Sequence, residues 1–169
     1  MKRLAAALLF AAMVWLPAAP AAADSGLPIP RFVSLKADKV NVRAGPGRRY
    51  PIDWVFLRKS MPVEVVAEFD TWRKIRDFEG TEGWVHQSLL SGRRGALLTG
   101  DVVHELRAQP HGDALVVARA ESGVVGALLS CPAGDDHDAI GWCQIDVAGH
   151  RGWLPRRELW GLYADEAVE

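Results

Sequence analysis

The residues with most chemistry to offer in this chain are its tryptophans, its two cysteines and its five histidines. His86, His104, His111, His137 and His150 are scattered and repeat no metal-ligand spacing. Ser88 and Ser91 lie outside any nucleophile-elbow context. The paired carboxylates Asp135 and Asp136 sit on a polar stretch, where solvation is the usual reason for them. No catalytic residue, metal site or cofactor is therefore expected, and the chain reads as a non-enzyme. Cys131 and Cys143 bracket a short Gly- and Asp-rich loop. An even cysteine count in an exported chain points to a disulfide, and closing so small a loop contributes about 3 kcal/mol. The alternative is a metal held by Cys131, Cys143 and His137 with Asp135 or Asp136, although tight ligand spacing is missing.

The tryptophans expose a repeat. Trp72-Arg-Lys-Ile75 followed by Gly83-Trp84-Val85 returns as Trp142-Cys-Gln-Ile145 followed by Gly152-Trp153-Leu154. Val42-Arg43-Ala44 likewise matches Leu106-Arg107-Ala108. A duplicated unit decides the architecture before any element is assigned. Strand geometry then orients the rings. Residues three apart in a strand face opposite ways, so an inward Ile75 turns Trp72 outward, and an inward Val85 turns Trp84 outward. The same parity applies to Trp142 and Trp153. Outward aromatic rings are costly unless they are covered or used. Covering a barrel end or a domain seam would explain them as well as binding would.

Each unit reads as a run of short strands. The first has Arg31–Lys36, Val40–Arg43, Ile52–Leu57, Val63–Phe69, a strand opening at Trp72 and Glu82–His86, then a helical turn at Gln87–Leu90. In Val63–Phe69, alternation places Val63, Val65 and Ala67 on one face and Glu64, Val66 and Glu68 on the other. The second unit has Gly95–Thr99, Val102–Arg107, Ala114–Ala118, Val124–Leu129, Trp142–Val147 and His150–Leu154, with its turn at Arg156–Leu159. The expected fold is all-β: two tandem small barrels at residues 31–92 and 93–162. An extended leader at 24–30 precedes them, and an acidic, frayed tail at 163–169 follows.

Residues 1–23 read as a cleaved signal peptide. Lys2 and Arg3 precede an apolar run from Leu4 to Leu16, and Ala21-Ala22-Ala23 supplies small residues for cleavage. That run is shorter than the ~20 residues a membrane span needs. The expected location is periplasmic or secreted, with no stable membrane insertion. Residues 31–94 carry 13 Lys/Arg against 8 Asp/Glu, a net of +5; residues 95–169 carry 5 against 12, a net of −7. Such a split suits docking of the two halves or an anionic partner for the first. Export argues against nucleic acid.

The segments Asn41-Val-Arg-Ala-Gly-Pro-Gly47, Trp72-Arg-Lys-Ile75 and Gly83-Trp-Val85 resemble the bacterial SH3 (SH3b) domain, in the subgroup of exported proteobacterial proteins. Together the two copies cover about residues 31–162. The second copy departs from the pattern: Gln109 and His111 replace Gly45 and Gly47, and a cysteine loop is added. The resemblance implies SH3-like barrels and a peptide groove lined by Trp72 and Trp84, with Tyr50 as its other wall. In the second copy it implies Trp142, Trp153 and Pro155. It implies a cell-wall peptide as partner, chiefly peptidoglycan stem peptides, or a segment of an envelope protein. Arg43, matched by Arg107, would either meet a ligand carboxylate or make a structural ion pair.

Overall fold

The computed structural model describes residues 25–133 and 141–169. The expected signal peptide lies outside them, as do Asp135, Asp136 and His137. The first unit holds β1 (Arg31–Leu35), β2 (Val40–Arg43), β3 (Ile52–Phe56), β4 (Pro62–Phe69), β5 (Trp72–Arg76), β6 (Glu82–His86) and β7 (Leu90–Ser91). The second holds β8 (Gly95–Leu98), β9 (Val103–Arg107), β10 (Val116–Glu121), β11 (Val125–Ser130), β12 (Trp142–Val147), β13 (His150–Pro155) and β14 (Leu159–Trp160). A 3-10 turn precedes the last strand of each unit, at Gln87–Leu89 and Arg156–Glu158. The sheets run β3-β2-β6-β5-β4-β1-β7 and β10-β9-β13-β12-β11-β8-β14. Strand for strand, the second order repeats the first. The third strand of the second unit starts at Val116, two residues after the apolar run at Ala114 that suggested it.

Inward positions of these strands form the cores. Val40, Val42, Val63, Val65, Ile75 and Val85 are sealed in the first barrel. Leu98, Leu106, Ile145 and Leu154 fill the second, with the buried Cys131–Cys143 disulfide among them. The bond occupies both thiols, so the metal alternative falls.

The barrels share a seam. All four residues of β8 are buried, because its two faces serve different cores: Ala96 and Leu98 face the second, while Leu97 joins the first. Phe32 meets Trp160 edge-on, with ring centroids 5.0 Å apart, and Tyr163 at 4.8 Å. The Tyr163 hydroxyl donates to Glu64 Oε1 (2.8 Å). Burial and that contact with Glu64 raise the Tyr163 pKa. Arg94 donates through Nη2 to the Gly161 carbonyl (2.6 Å) and to Glu166 Oε2 (3.0 Å).

These contacts correct the expectation of a frayed tail. Tyr163 and Glu166 are tied into the seam. Val168 exchanges backbone hydrogen bonds with Cys131 in both directions, at 2.7 and 2.9 Å. Acidic composition suggested fraying, but the acid has an arginine waiting for it and the valine a buried slot.

Strand β4 breaks simple alternation. Its pairing with β5 runs Val65↔Ile75 and then Ala67↔Lys74, skipping Val66. Ala67 was expected on the face of Val63 and Val65; the bulge turns it to the outer row of Lys74 instead. Glu68 turns inward beside Arg73, where its side chain is 1% exposed. Glu68 Oε1 lies 2.6 Å from Arg31 Nη2 and 3.0 Å from Arg73 Nε, and both carboxylate oxygens accept from Ser25. Burial alone would raise the pKa of this carboxyl. The hydrogen bonds from the Ser25 hydroxyl, the Ser25 amide and Arg31, with the Arg73 charge, win and hold it at about 2.

Two predictions follow from seam and bulge. A carboxylate whose folded pKa is depressed stabilises the fold above its unfolded value of ~4.3 and stops doing so as pH falls toward the folded value. Glu68→Gln should therefore unfold at lower urea than wild type at pH 7, and the gap should narrow between about pH 4.5 and pH 2. A gap independent of pH would contradict the assignment. Gly161 has φ +123°, and a Cβ there would sit 2.5 Å from the Gly95 carbonyl oxygen and 3.0 Å from Pro62 Cβ. Gly161→Ala should destabilise the protein by about 2–3 kcal/mol, read from denaturant unfolding.

Candidate functional site

The outer face of each barrel carries the tryptophans. Directly paired residues share a face, so Trp72↔His86 and Lys74↔Trp84 place Trp72 and Trp84 on one surface. Trp142↔Pro155 and Gln144↔Trp153 do the same in the second unit. Trp72 and Trp142 nonetheless retain only 9% exposure each. In the first unit the His86 ring covers Trp72 edge-on, centroids 5.4 Å apart. Each of the two rings is the floor of a cleft rather than an open plate.

The first cleft, about 230 Å³, lies over Trp72 between Asn41, Arg43 and Arg48 on one side and His86 and Ser88 on the other. The second, about 560 Å³, lies over Trp142 between Glu105, Arg107 and Pro110 on one side and Pro155 and Arg157 on the other. The positions correspond: Arg43 to Arg107, Asn41 to Glu105, Trp72 to Trp142, His86 to Pro155. Gly112 stands where the first copy has Arg48, which removes a long side chain from the wall of the larger cleft. Val102 and Val103, both 59% exposed, give the second cleft an apolar rim.

Tyr50, Trp84 and Trp153 stand outside these linings. Trp84 and Trp153 are half-buried on the same outer faces, each paired with the arginine of its unit, Arg43 or Arg107. Tyr50 turns back on its own loop: a Cβ on Gly45 would fall 2.5 Å from the Tyr50 ring. The guanidinium of Arg49 lies over the Tyr50 ring, 5.1 Å from its centroid.

That packing explains why the second copy dispenses with loop glycines. Gly47 N–Gly45 O (2.9 Å), Tyr50 N–Gly47 O (3.2 Å) and Ala44 N–Pro51 O (3.2 Å) recur as His111 N–Gln109 O (2.9 Å), Ala114 N–His111 O (3.2 Å) and Ala108 N–Leu115 O (2.8 Å). The backbone course is shared, and neither Gly45 nor Gly47 has positive φ. Gly45 is needed because Tyr50 lies on it. With Ala114 at the Tyr50 position, Gln109 fits.

Both arginines brace this loop from below. Arg43 Nη1 donates to the carbonyls of Tyr50 (2.7 Å) and Arg48 (3.2 Å). Arg107 Nη1 donates to the Ala114 carbonyl (2.8 Å), and its Nη2 pairs with Glu105 Oε2 (2.8 Å). For Arg107 the ion-pair expectation is met; for Arg43 the partners are backbone carbonyls.

Sequence reading passed over His104, which replaces the core residue Val40 of the first copy. A buried imidazole needs partners. His104 Nδ1 lies 2.7 Å from Glu158 Oε2 and Nε2 lies 3.2 Å from Ser122 Oγ. The order acid–imidazole–hydroxyl resembles a nucleophile system, but the Ser122 hydroxyl donates to the Val102 carbonyl (3.1 Å). The adjacent Gly123 and Val124 amides are bonded to the Leu98 and Glu121 carbonyls. The array ties the β10–β11 turn to the 3-10 turn and sets Glu158 at the second cleft.

A match to a family model agrees with this layout. The family model described as a bacterial SH3 domain matches residues 36–92 and 102–161, once per barrel. Among solved structures, the chain is similar to NlpC2 from Trichomonas vaginalis (10% identity, TM-score 0.34, covering 79% of this chain and 49% of that one). It is similar also to NlpC1 from the same organism (12% identity, TM-score 0.34, 86% and 51%). The chain thus spans about half the length of each. No curated protein sequence matches it.

Arg107→Ala should speed amide exchange at Ala108 and Ala114 and lower global stability by about 1 kcal/mol, since it removes a bond to the loop and one of the two arginines that hold Glu105. Unchanged exchange in that loop would show that the brace is dispensable.

Proposed function

Because this chain belongs to the bacterial SH3 domain family, we propose that it is a non-catalytic, exported module that binds peptidoglycan or its stem peptides through the tryptophan-floored clefts. The observation that carries this reading is the duplication of the cleft itself. Two copies that diverged in loop and charge both keep a ring floor, an arginine-braced loop on one side and a 3-10 turn on the other. A flat aromatic floor with polar walls suits an extended short peptide. The second cleft, larger and rimmed by exposed Val102 and Val103, is the principal site in this reading. Location in the periplasm or outside the cell accords with the disulfide. Among the described residues no helix is long and apolar enough to cross a membrane.

The test is co-sedimentation of the protein with purified peptidoglycan sacculi, together with chromatography of the sacculi for released fragments. Wild type should be retained without releasing fragments. Trp142→Leu and Val103→Glu should each weaken retention about tenfold or more, the second through a surface residue whose change spares the fold. Retention by none of the proteins would refute the peptidoglycan reading. A proline-containing segment of an envelope protein would then be the partner to seek, since Pro110 and Pro155 flank the same cleft.

A further inference from the structure

The two clefts differ at one place that identifies a ligand group. In the second barrel the Nη2 of Arg107 is occupied by the carboxylate of Glu105, at 2.8 Å. In the first barrel the equivalent of Glu105 is Asn41, which carries no charge. Arg43 uses only Nη1 on its loop; its Nη2 and Nε have no partner among the described residues. The Arg48 guanidinium is exposed on the same wall and makes no ion pair among the described residues. On the facing wall, the Ser88 amide donates to His86 Nδ1 (3.3 Å), so that nitrogen accepts and the neutral ring carries its proton on Nε2. The first cleft therefore lines an aromatic floor with two guanidinium groups, an imidazole ring and no acid. Planar guanidinium recognises carboxylate through paired N–H donors.

We infer that the first cleft holds a carboxylate of its peptide ligand against Arg43, in the place that Glu105 fills by itself in the second barrel. The inference rests on the peptide-binding reading and adds the chemical group. The second barrel supplies the internal precedent, because its own glutamate shows where such a carboxylate sits. The two clefts accordingly have different selectivity. The first requires an anionic ligand group at Arg43; the second has already paired Arg107 with Glu105 and adds an apolar rim.

The probe is the synthetic tetrapeptide L-Ala-γ-D-Glu-L-Lys-D-Ala, titrated calorimetrically into the full-length protein carrying Val103→Glu, which weakens the second cleft so that the first is read. Three forms are compared: free acid, terminal amide, and Glu α-amide. This parent should bind the free acid about tenfold or more tighter than at least one amide, and the weaker amide identifies the carboxylate concerned. Adding Asn41→Glu, which copies the second barrel, should bring the acid-to-amide ratio close to one. Its folding is checked by its thermal midpoint. Equal binding of all three forms by the parent, or a preference that survives Asn41→Glu, overturns the carboxylate inference and leaves the peptide reading intact. Binding of none of the forms overturns the carboxylate inference, and the peptide reading then stands or falls on retention by sacculi.

Discussion

One short strand holds the molecule together by lying in two cores at once. Gly95–Leu98 has no solvent face: Ala96 and Leu98 enter one barrel while Leu97 enters the other. A strand with side chains on alternating faces can do this only where apolar partners wait on both sides. Everything else at the seam follows from that proximity. The Gly95 backbone comes so near Ser60 and Gly161 that side chains are excluded at both glycines. The Phe32, Trp160 and Tyr163 rings then close the space beside it, and Arg94 ties the C-terminal segment down over them.

The barrels diverged where exchanges could be compensated. Tyr50 over Gly45 in one copy and Ala114 beneath Gln109 in the other are two packings of a single backbone course. Where the first copy buries Val40 the second buries His104, and the cost of burying an imidazole is offset by Glu158 and Ser122. Both exchanges leave the loop, the ring floor and the 3-10 turn in register while altering the charges that face the cleft. Duplication preserved the cleft's frame and left its walls free to change.

Much of this was legible in the residues. The matched Trp72 and Trp142, the paired Gly-Trp motifs and the period-two patterns locate both barrels, and the resemblance to SH3b domains supplies their topology. Three features were not legible. The bulge at Val66 leaves no mark, because Val-Glu-Val-Val-Ala-Glu reads equally well as an unbroken strand; only the pairing shows Ala67 turned out and Glu68 turned in. The seam hid in the run Ala96-Leu97-Leu98, which looks like any buried strand until its second face is seen to meet a second core. Outward parity was read correctly for Trp72 and Trp142. How nearly they are buried was not legible: the cover comes from the edge-on His86 ring in the first barrel and from neighbouring cleft walls, which alternation within one strand does not show.

The bridging strand also bears on how such a duplication can evolve. Free-standing repeats can be shuffled between genes, because each carries its own closed interior. Here the first barrel's interior is completed by Leu97, a residue encoded with the second. A recombination joint placed in the link between Ser91 and Gly95 would part that leucine from its socket and send an open interior to one descendant and a bare apolar strand to the other. The two barrels are therefore expected to be gained or lost together, as one unit.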